Sequence, residues 1–268
     1  RDLGDGSTLR HLIETLLAET SVERLRLSSI EPEDFDDGLL DLWPNPRLCR
    51  HFHLALDSGC DATLRRMRRR YDTAMYAALI ERIRRAIPGV AITTDVLVGF
   101  PGETDAEFAE SYAFVERMAF AGIHVFPYSP RHRTAAAKLP NQVPPEVKRE
   151  RTAAMLALAE QSAARFRSTL LGQHLRVLFE SPVVAHDELS PDAGRLWEGL
   201  TDNYVRVFAK APGHPATDWE NTFAETRVTG LHPHGVWGEI LAGAPDAQPD
   251  RRLTAFRRRV LLNMLPPQ

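Results

Sequence analysis

Ala91-Ile92-Thr93-Thr94-Asp95-Val96-Leu97-Val98-Gly99-Phe100-Pro101-Gly102-Glu103-Thr104 is the stretch on which the reading of this chain turns. A run of β-branched and aliphatic side chains, interrupted only by Asp95, leads into Gly-Phe-Pro-Gly, and Thr104 followed by Glu107 has the spacing of a capping box that opens a helix. A strand that passes through a short glycine turn into a helix is one half of a βαβ unit, which implies a parallel sheet. The two glycines let the backbone come close to a ligand, with the free N–H groups of the next helix facing outward. Taken alone, the same junction reads equally well as a tight βα turn.

The alternation continues on both sides. Strands are predicted at 25–30, 52–56 and 122–126. Tyr76, Leu79, Ile80, Ile83 and Ile87 share one helical face that stops at Pro88-Gly89, and Phe108, Tyr112, Val115 and Ala119 form a second stripe. A long helix rich in Ala, Glu and Arg follows Pro144-Pro145 and runs to about Leu170. Beyond it, over 171–241, short alternating runs such as 175–179 and 204–208 are separated by Gly, Pro and Asn, the pattern of a small antiparallel barrel. The expected organisation is an α/β domain over 1–170, a small barrel over 171–243 and an extension over 244–268. The extension mixes Pro, Asp and Arg before turning apolar at 260–265, as a linker or a docking segment does.

Bulk properties bound the function. A formal charge of -3 excludes a general polyanion binder, so any contact with nucleic acid has to come from local clusters of Arg and Lys. No apolar run reaches the length of a bilayer span and the first residues show no signal peptide, so the expectation is a cytoplasmic protein with no membrane partner. Cys49 and Cys60 are too few for a disulfide framework and fit a reducing compartment.

Ligands of parallel sheets collect at the carboxyl ends of the strands. Four segments occupy such positions: 28–32, 57–59, 99–104 and 128–131. Leu97 and Val98 suit contact with a planar ring; Asp95, among apolar neighbours, is either a ligand contact or a carboxylate held by a buried partner. The cluster Arg65, Arg66, Arg68, Arg69 and Arg70 is either an anion-binding patch or a solvated helix end, with function expected at Arg68 and Arg70 and a solvated role at Arg65 and Arg66. Tyr204, Arg206 and Lys210 suit base stacking and phosphate contact, although aromatic residues there serve equally as core. The sequence yields no metal-ligating set and no catalytic residue.

The order of the segments is more telling than any one of them. Arg24-Leu25-Arg26-Leu27-Ser28-Ser29-Ile30-Glu31-Pro32, His51-Phe52-His53-Leu54-Ala55-Leu56-Asp57-Ser58-Gly59, Met67-Arg68-Arg69-Arg70-Tyr71, the Thr94–Thr104 stretch and His124-Val125-Phe126-Pro127-Tyr128-Ser129-Pro130-Arg131 together resemble the successive signatures of the radical S-adenosylmethionine (SAM) methylthiotransferases. The resemblance runs from the start of the chain to about Leu241. It implies a partial (β/α) radical SAM barrel followed by a TRAM domain, a small OB-type β-barrel that grips RNA. Gly172, the run Thr201-Asp202-Asn203-Tyr204-Val205 and Gly238-Glu239-Ile240 match the TRAM pattern. The Ser-Ser-Ile-Glu-Pro and Phe-Pro-Tyr-Ser-Pro-Arg segments look most like the branch that methylthiolates N6-threonylcarbamoyladenosine at position 37 of tRNA. Sibling branches act on isopentenyladenosine in tRNA or on a ribosomal protein.

The family's chemistry implies SAM, two 4Fe-4S clusters, the tRNA anticodon stem-loop and an electron donor such as flavodoxin or ferredoxin. On this chain it implies SAM-side contacts from Ser29, Glu31, Asp57, Asp95, Gly99 and Phe126, and RNA contacts from Arg68, Arg131, Tyr204, Arg206 and Lys210. The departures carry expectations of their own. The family's Cys-x3-Cys-x2-Cys loop and N-terminal cysteine domain have no counterpart here, and Cys49 and Cys60 are expected to be buried apolar fillers that ligate no cluster. Arg1-Asp2-Leu3-Gly4 resembles the stretch after the barrel's second strand, so the expected barrel is truncated at its N-terminus and inactive as it stands, with an unpaired edge at 25–30 and poor solubility. The rival reading is a non-catalytic RNA-binding relative. Asp57 stands where the family has Gln, and His132-Arg133 replaces Pro-Gly.

Overall fold

The computed structural model describes residues 7–183, 196–212 and 218–242. The expected extension 244–268, its apolar run at 260–265 and Arg1-Asp2-Leu3-Gly4 lie outside the described residues. Two compact units result: one runs to Thr169 and includes Asp202–Tyr204, and the other takes Leu170–Thr201 and continues from Val205.

In the first unit, β1 (Ser29–Ile30), β2 (His51–Leu54), β3 (Ala91–Val98) and β4 (Gly122–Pro127) form a parallel sheet in the order β1-β2-β3-β4. Neighbours in sequence are neighbours in space, so each crossover steps the same way, as in a segment of a (β/α) barrel. The helices are α1 (Leu9–Glu19), α2 (Asp61–Met67), α3 (Thr73–Ala86), α4 (Asp105–Met118) and α5 (Pro145–Ser168). Local chemistry fixes their starts. Thr8 Oγ1 accepts from His11 N–H, Asp72 accepts from Met75 N–H, and at α4 Thr104 Oγ1 accepts from Glu107 N–H while Glu107 returns the contact to Thr104 N–H, the capping box the sequence predicts.

The alternation of β3 decides where a ligand can go. Ile92, Thr94, Val96 and Val98 are buried, whereas Thr93, Asp95 and Leu97 are only half-buried on the opposite face. The buried side packs into a core with Phe52, Leu54, Tyr76, Ile80, Val115 and Phe120. Tyr76 Oη donates to Leu54 O at 2.8 Å, so even this deeply buried hydroxyl is satisfied.

The strand predicted at 25–30 is corrected: β1 is two residues long, and Leu25 instead forms a lone bridge to Leu48. Leu25 N–H donates to Arg47 O and Cys49 N–H donates to Leu25 O, whereas Ser28 O receives His53 N–H, so the segment changes partner midway. A two-residue edge offers little template for intermolecular pairing, which weakens the reason for expecting poor solubility.

In the second unit, β5 (His174–Pro182), β6 (Leu196–Leu200), β7 (Arg206–Lys210), β8 (Thr222–His232) and β9 (Gly235–Ala242) close a barrel in the order β5-β6-β7-β9-β8. Val177, Phe179, Trp197, Val207, Ala224, Val228 and Val236 fill it, with Trp219 against Phe179. The barrel is not wholly antiparallel as expected, because β7 and β9 run parallel. The reason is topological: strict alternation of direction cannot close around an odd number of strands, so one neighbouring pair must be parallel.

Candidate functional site

The half-buried face of the parallel sheet is built in rows. Ser29, His53, Thr93 and Gly122 stand in register across the four strands; two residues further along, Asp95 faces His124, and two beyond that Leu97 faces Phe126. Side chains separated by two along a strand share a face. Segments far apart in sequence therefore converge on one surface.

Asp57 joins this surface through a local irregularity. Between the His53–Thr93 pair and the Asp57–Val96 bridge, β2 and its extension advance one residue more than β3. Asp57 takes φ 58°, a left-handed conformation that Asp tolerates better than most residues. Its N–H still donates to Asp95 O at 2.9 Å, and its carbonyl accepts from Leu97 N–H at 2.8 Å. Burial pushes the Asp57 carboxyl up; Arg69, whose Nη2 contacts Oδ2, opposes the shift. Arg69 also reaches Glu31 at 3.4 Å. A cavity of about 370 Å³ is lined by Asp57, Arg68, Arg69, Leu97, Phe100 and Leu139 among others. Phe126 presents an exposed ring, and Ser29 and Glu31 are exposed as well.

The glycine turn does different work from that expected. Gly99 has φ 75°, and its N–H donates to Glu103 Oε1 at 3.0 Å rather than facing a ligand. Arg151, from α5, donates to the same oxygen at 2.7 Å, to Glu103 O at 3.1 Å and to Asp105 Oδ1 at 2.6 Å. Burial raises the Glu103 carboxyl, while Gly99 N–H and the Arg151 guanidinium favour its charge. The turn is thus locked to α5 by a buried ion pair, and a side chain at residue 99 would collide with Lys148. Thr104 N–H is taken by Glu107.

The arginine cluster sorts itself differently from the sequence expectation. Arg66 is paired bidentately with Glu107 at 2.8 Å on both oxygens, and Arg69, to which the sequence assigns no separate role, is the arginine at Asp57. Arg68 is exposed and lines the cavity from φ 60°, at the C-cap of α2; Arg70 is exposed. Helical spacing could not reveal this, because the left-handed turn at Arg68 resets the direction of every following side chain. Arg131 is exposed in its loop, and Arg133 takes φ 71° where the resembled family has Gly.

Tyr204 groups with the first unit, where the Arg26 guanidinium lies 4.1 Å from its ring centroid and His51 at 5.0 Å, so it is not part of the barrel wall as expected. Arg206 and Lys210 flank Phe208 on the outer side of β7. Phe208 is in register with Trp237 and packs on His232 with 4.1 Å between centroids. Arg206 contacts Glu198 at 2.5 Å. Phe208, His232 and Trp237 were not singled out from the sequence, although Phe208 stands two residues from both Arg206 and Lys210 on one strand face.

Another grouping was missed entirely. His53 Nε2 lies 3.4 Å from Asp95 Oδ2, and His124 Nδ1 lies 3.0 Å from Asp95 Oδ1. The two imidazoles stack with centroids 5.5 Å apart. Thr93 Oγ1 sits 3.0 Å from His53 Nδ1.

Cys49 and Cys60 are both buried. Burial pushes the Cys49 thiol up to about 11 and also raises Cys60, whose Sγ donates to Glu110 Oε2 at 3.1 Å. An iron–sulfur cluster needs several convergent thiolates. Two buried, protonated thiols do not fit one.

The family description "Radical SAM superfamily" matches residues 4–115. The threonylcarbamoyladenosine tRNA methylthiotransferase of Bacillus subtilis is 35% identical over 210 residues, 78% of this chain and 46% of the relative. The corresponding Thermotoga maritima protein is 38% identical over 176 residues, 65% and 41% of the two chains. The tRNA-2-methylthio-N(6)-dimethylallyladenosine synthase of Acidothermus cellulolyticus is 43% identical over 245 residues, 90% and 47%. The chain spans about half the length of the curated relatives it matches. With the parallel sheet, its open face and these relatives in agreement, the chain belongs to the radical SAM methylthiotransferase family.

Proposed function

We propose that this chain forms part of a tRNA methylthiotransferase, with SAM held against the open face of the parallel sheet and RNA held by the barrel. The observation that carries the reading is the convergence of Glu31 and Asp57 on Arg69, with Asp57, Arg69 and Leu97 lining one cavity and the exposed Phe126 paired with Leu97 on the next strand. Carboxylates there suit the ammonium and ribose hydroxyls of SAM, Arg69 suits its carboxylate, and the apolar side chains suit the adenine ring. Ser29 and the Gly99 turn border the same surface, with Gly99 acting as a shaped backbone rather than as a donor. Asp95 stands one row deeper, where its carboxylate faces two histidines. When bound, SAM supplies a methyl group and, on one-electron reduction, a hydrogen-abstracting radical. The residues of this chain bind and orient; the cluster chemistry and its electron donor belong to ligands that Cys49 and Cys60 do not provide.

The barrel is read as a TRAM domain. Arg206 and Lys210 beside Phe208 and Trp237 give two cations flanking an aromatic surface, the arrangement that single-stranded RNA favours. Arg68 and Arg131 are exposed cations for further phosphate contact.

The proposed substrate is N6-threonylcarbamoyladenosine at position 37, on the strength of the 28–32 and 126–131 segments. A second reading, the dimethylallyl (isopentenyl) adenosine, is favoured by the 43% identity to the Acidothermus synthase. Nucleoside mass spectrometry of tRNA from a strain lacking the gene separates them. Loss of the methylthio form of threonylcarbamoyladenosine supports the first, loss of the other methylthio nucleoside supports the second, and an unchanged profile refutes both.

A further inference from the structure

We propose that His53, Asp95 and His124 form a binding site for a single divalent transition-metal ion of the Zn(II) type on the open face of the sheet. The site is independent of the SAM reading above, except that it assigns Asp95 to the metal.

The argument begins with register. His53 on β2, Asp95 on β3 and His124 on β4 come from three adjacent parallel strands, and Asp95 and His124 are directly paired. Three strands hydrogen-bonded into one sheet hold such a trio more rigidly than a loop would. The ligand atoms all lie within 4.8 Å of one another. Around a tetrahedral ion with ligand bonds of about 2.1 Å, neighbouring ligand atoms are separated by about 3.3 to 3.5 Å. The 3.4 Å between His53 Nε2 and Asp95 Oδ2 falls within this range; the 3.0 Å contact of His124 Nδ1 is to the other oxygen, Asp95 Oδ1, so one ion is held by a bidentate Asp95 or after the carboxylate turns to present a single oxygen to both imidazoles.

The surroundings supply two further features of a metal centre. Thr93 Oγ1, on the same face one row below Asp95, sits 3.0 Å from His53 Nδ1. A hydroxyl there fixes the imidazole so that Nε2 is the nitrogen offered to a metal, the outer contact that metal-bound histidines characteristically have. Exposure is also graded: the His53 side chain is 14% exposed, Asp95 32% and His124 62%. One side of the trio is anchored and the other faces outward, leaving a fourth position for water or an anionic ligand. Two nitrogens and one carboxylate oxygen suit Zn(II), Co(II) or Fe(II) and give Mg(II) too few oxygens.

The test titrates Zn(II) alone into tag-free protein stripped with chelator, by calorimetry, with Co(II) absorption as an independent report of coordination. One saturable site and a tetrahedral-type Co(II) band are expected. His124→Ala changes a mostly exposed side chain and should leave the circular dichroism spectrum intact while weakening Zn(II) binding more than ~10-fold; Thr93→Val should weaken it by about 10-fold. His53→Ala and Asp95→Ala should lower affinity at least as much as His124→Ala. His232→Ala and His234→Ala, altering two histidines of the barrel whose rings meet edge to face, should have no effect. The proposal is overturned if no saturable binding is seen, if His124→Ala and His53→Ala bind like the parent, or if only the barrel variants lose the ion. SAM binding measured without metal is a separate readout: its loss would leave this site standing while removing the reading above.

Discussion

Replacing Arg151 by Met tests whether a buried ion pair holds the glycine turn. In the structure the Arg151 side chain is 8% exposed and that of Glu103 3%, and the guanidinium makes three hydrogen bonds, two to Glu103 and one to Asp105. Met fills much of the same volume but leaves a buried carboxylate whose remaining partner is Gly99 N–H. Breaking a buried pair from one side costs about 3 to 5 kcal/mol. The pH dependence gives the sharper check. Burial already raises the Glu103 carboxyl, so the folded state binds that proton more tightly than the unfolded chain does. Its contribution is therefore most favourable below the ordinary carboxylate value and is lost as pH rises through the raised folded value. Removing Arg151 raises the folded value further, and each added unit deepens the loss at high pH by about 1.4 kcal/mol. The Arg151→Met penalty should thus be small near pH 4 and full near pH 8, roughly four units higher. Urea-dependent hydrogen exchange on peptides covering Ala91–Val98 and Pro145–Ser168 reports this unit separately from the barrel. Glu103→Gln in the same background should recover part of the loss at high pH. A penalty that is the same at both pH values, or under about 1 kcal/mol, would show that the pair does not hold the turn.

Arg69→Ala removes the cation facing Asp57 and Glu31 and should weaken SAM binding by about 10- to 100-fold in calorimetry, the range for a lost hydrogen bond to a charged group; unchanged affinity would place SAM elsewhere. Native Cys49 should resist alkylation at pH 8, because burial holds its thiol near 11, and should react fully once the chain is unfolded; rapid native labelling would contradict its position in the core. Trp237→Ala should lower affinity for a single-stranded anticodon-loop RNA by about 1 to 3 kcal/mol, whereas Lys210→Ala should chiefly flatten the salt dependence, by about 0.7 in the log–log slope. Equal salt slopes for Lys210→Ala and the parent would remove Lys210 from the interface.

Period and punctuation were enough to determine most of the elements. The Ala91–Val98 strand, the Thr104 capping box and the long helix after Pro144-Pro145 are local consequences of side-chain alternation, a hydroxyl at a helix start and a proline that begins a helix. The order of motifs was likewise sufficient for the family, since it survives without knowledge of any contact. Where the sequence misled, the missing information was non-local. The segment 25–30 opens with the apolar–polar alternation of a strand, yet its pairing depends on Arg47 and Cys49 at one end and His53 at the other. Antiparallel alternation in the barrel fails because closure through five strands forces one neighbouring pair to run parallel, here β7 and β9. The same limit applies to the site. That Asp57 meets Arg69 rather than Arg68 depends on a left-handed residue, and that His53, Asp95 and His124 meet depends on the register of three strands. A sequence states which face a side chain takes on its own strand; only hydrogen bonds between strands decide which other side chains stand beside it.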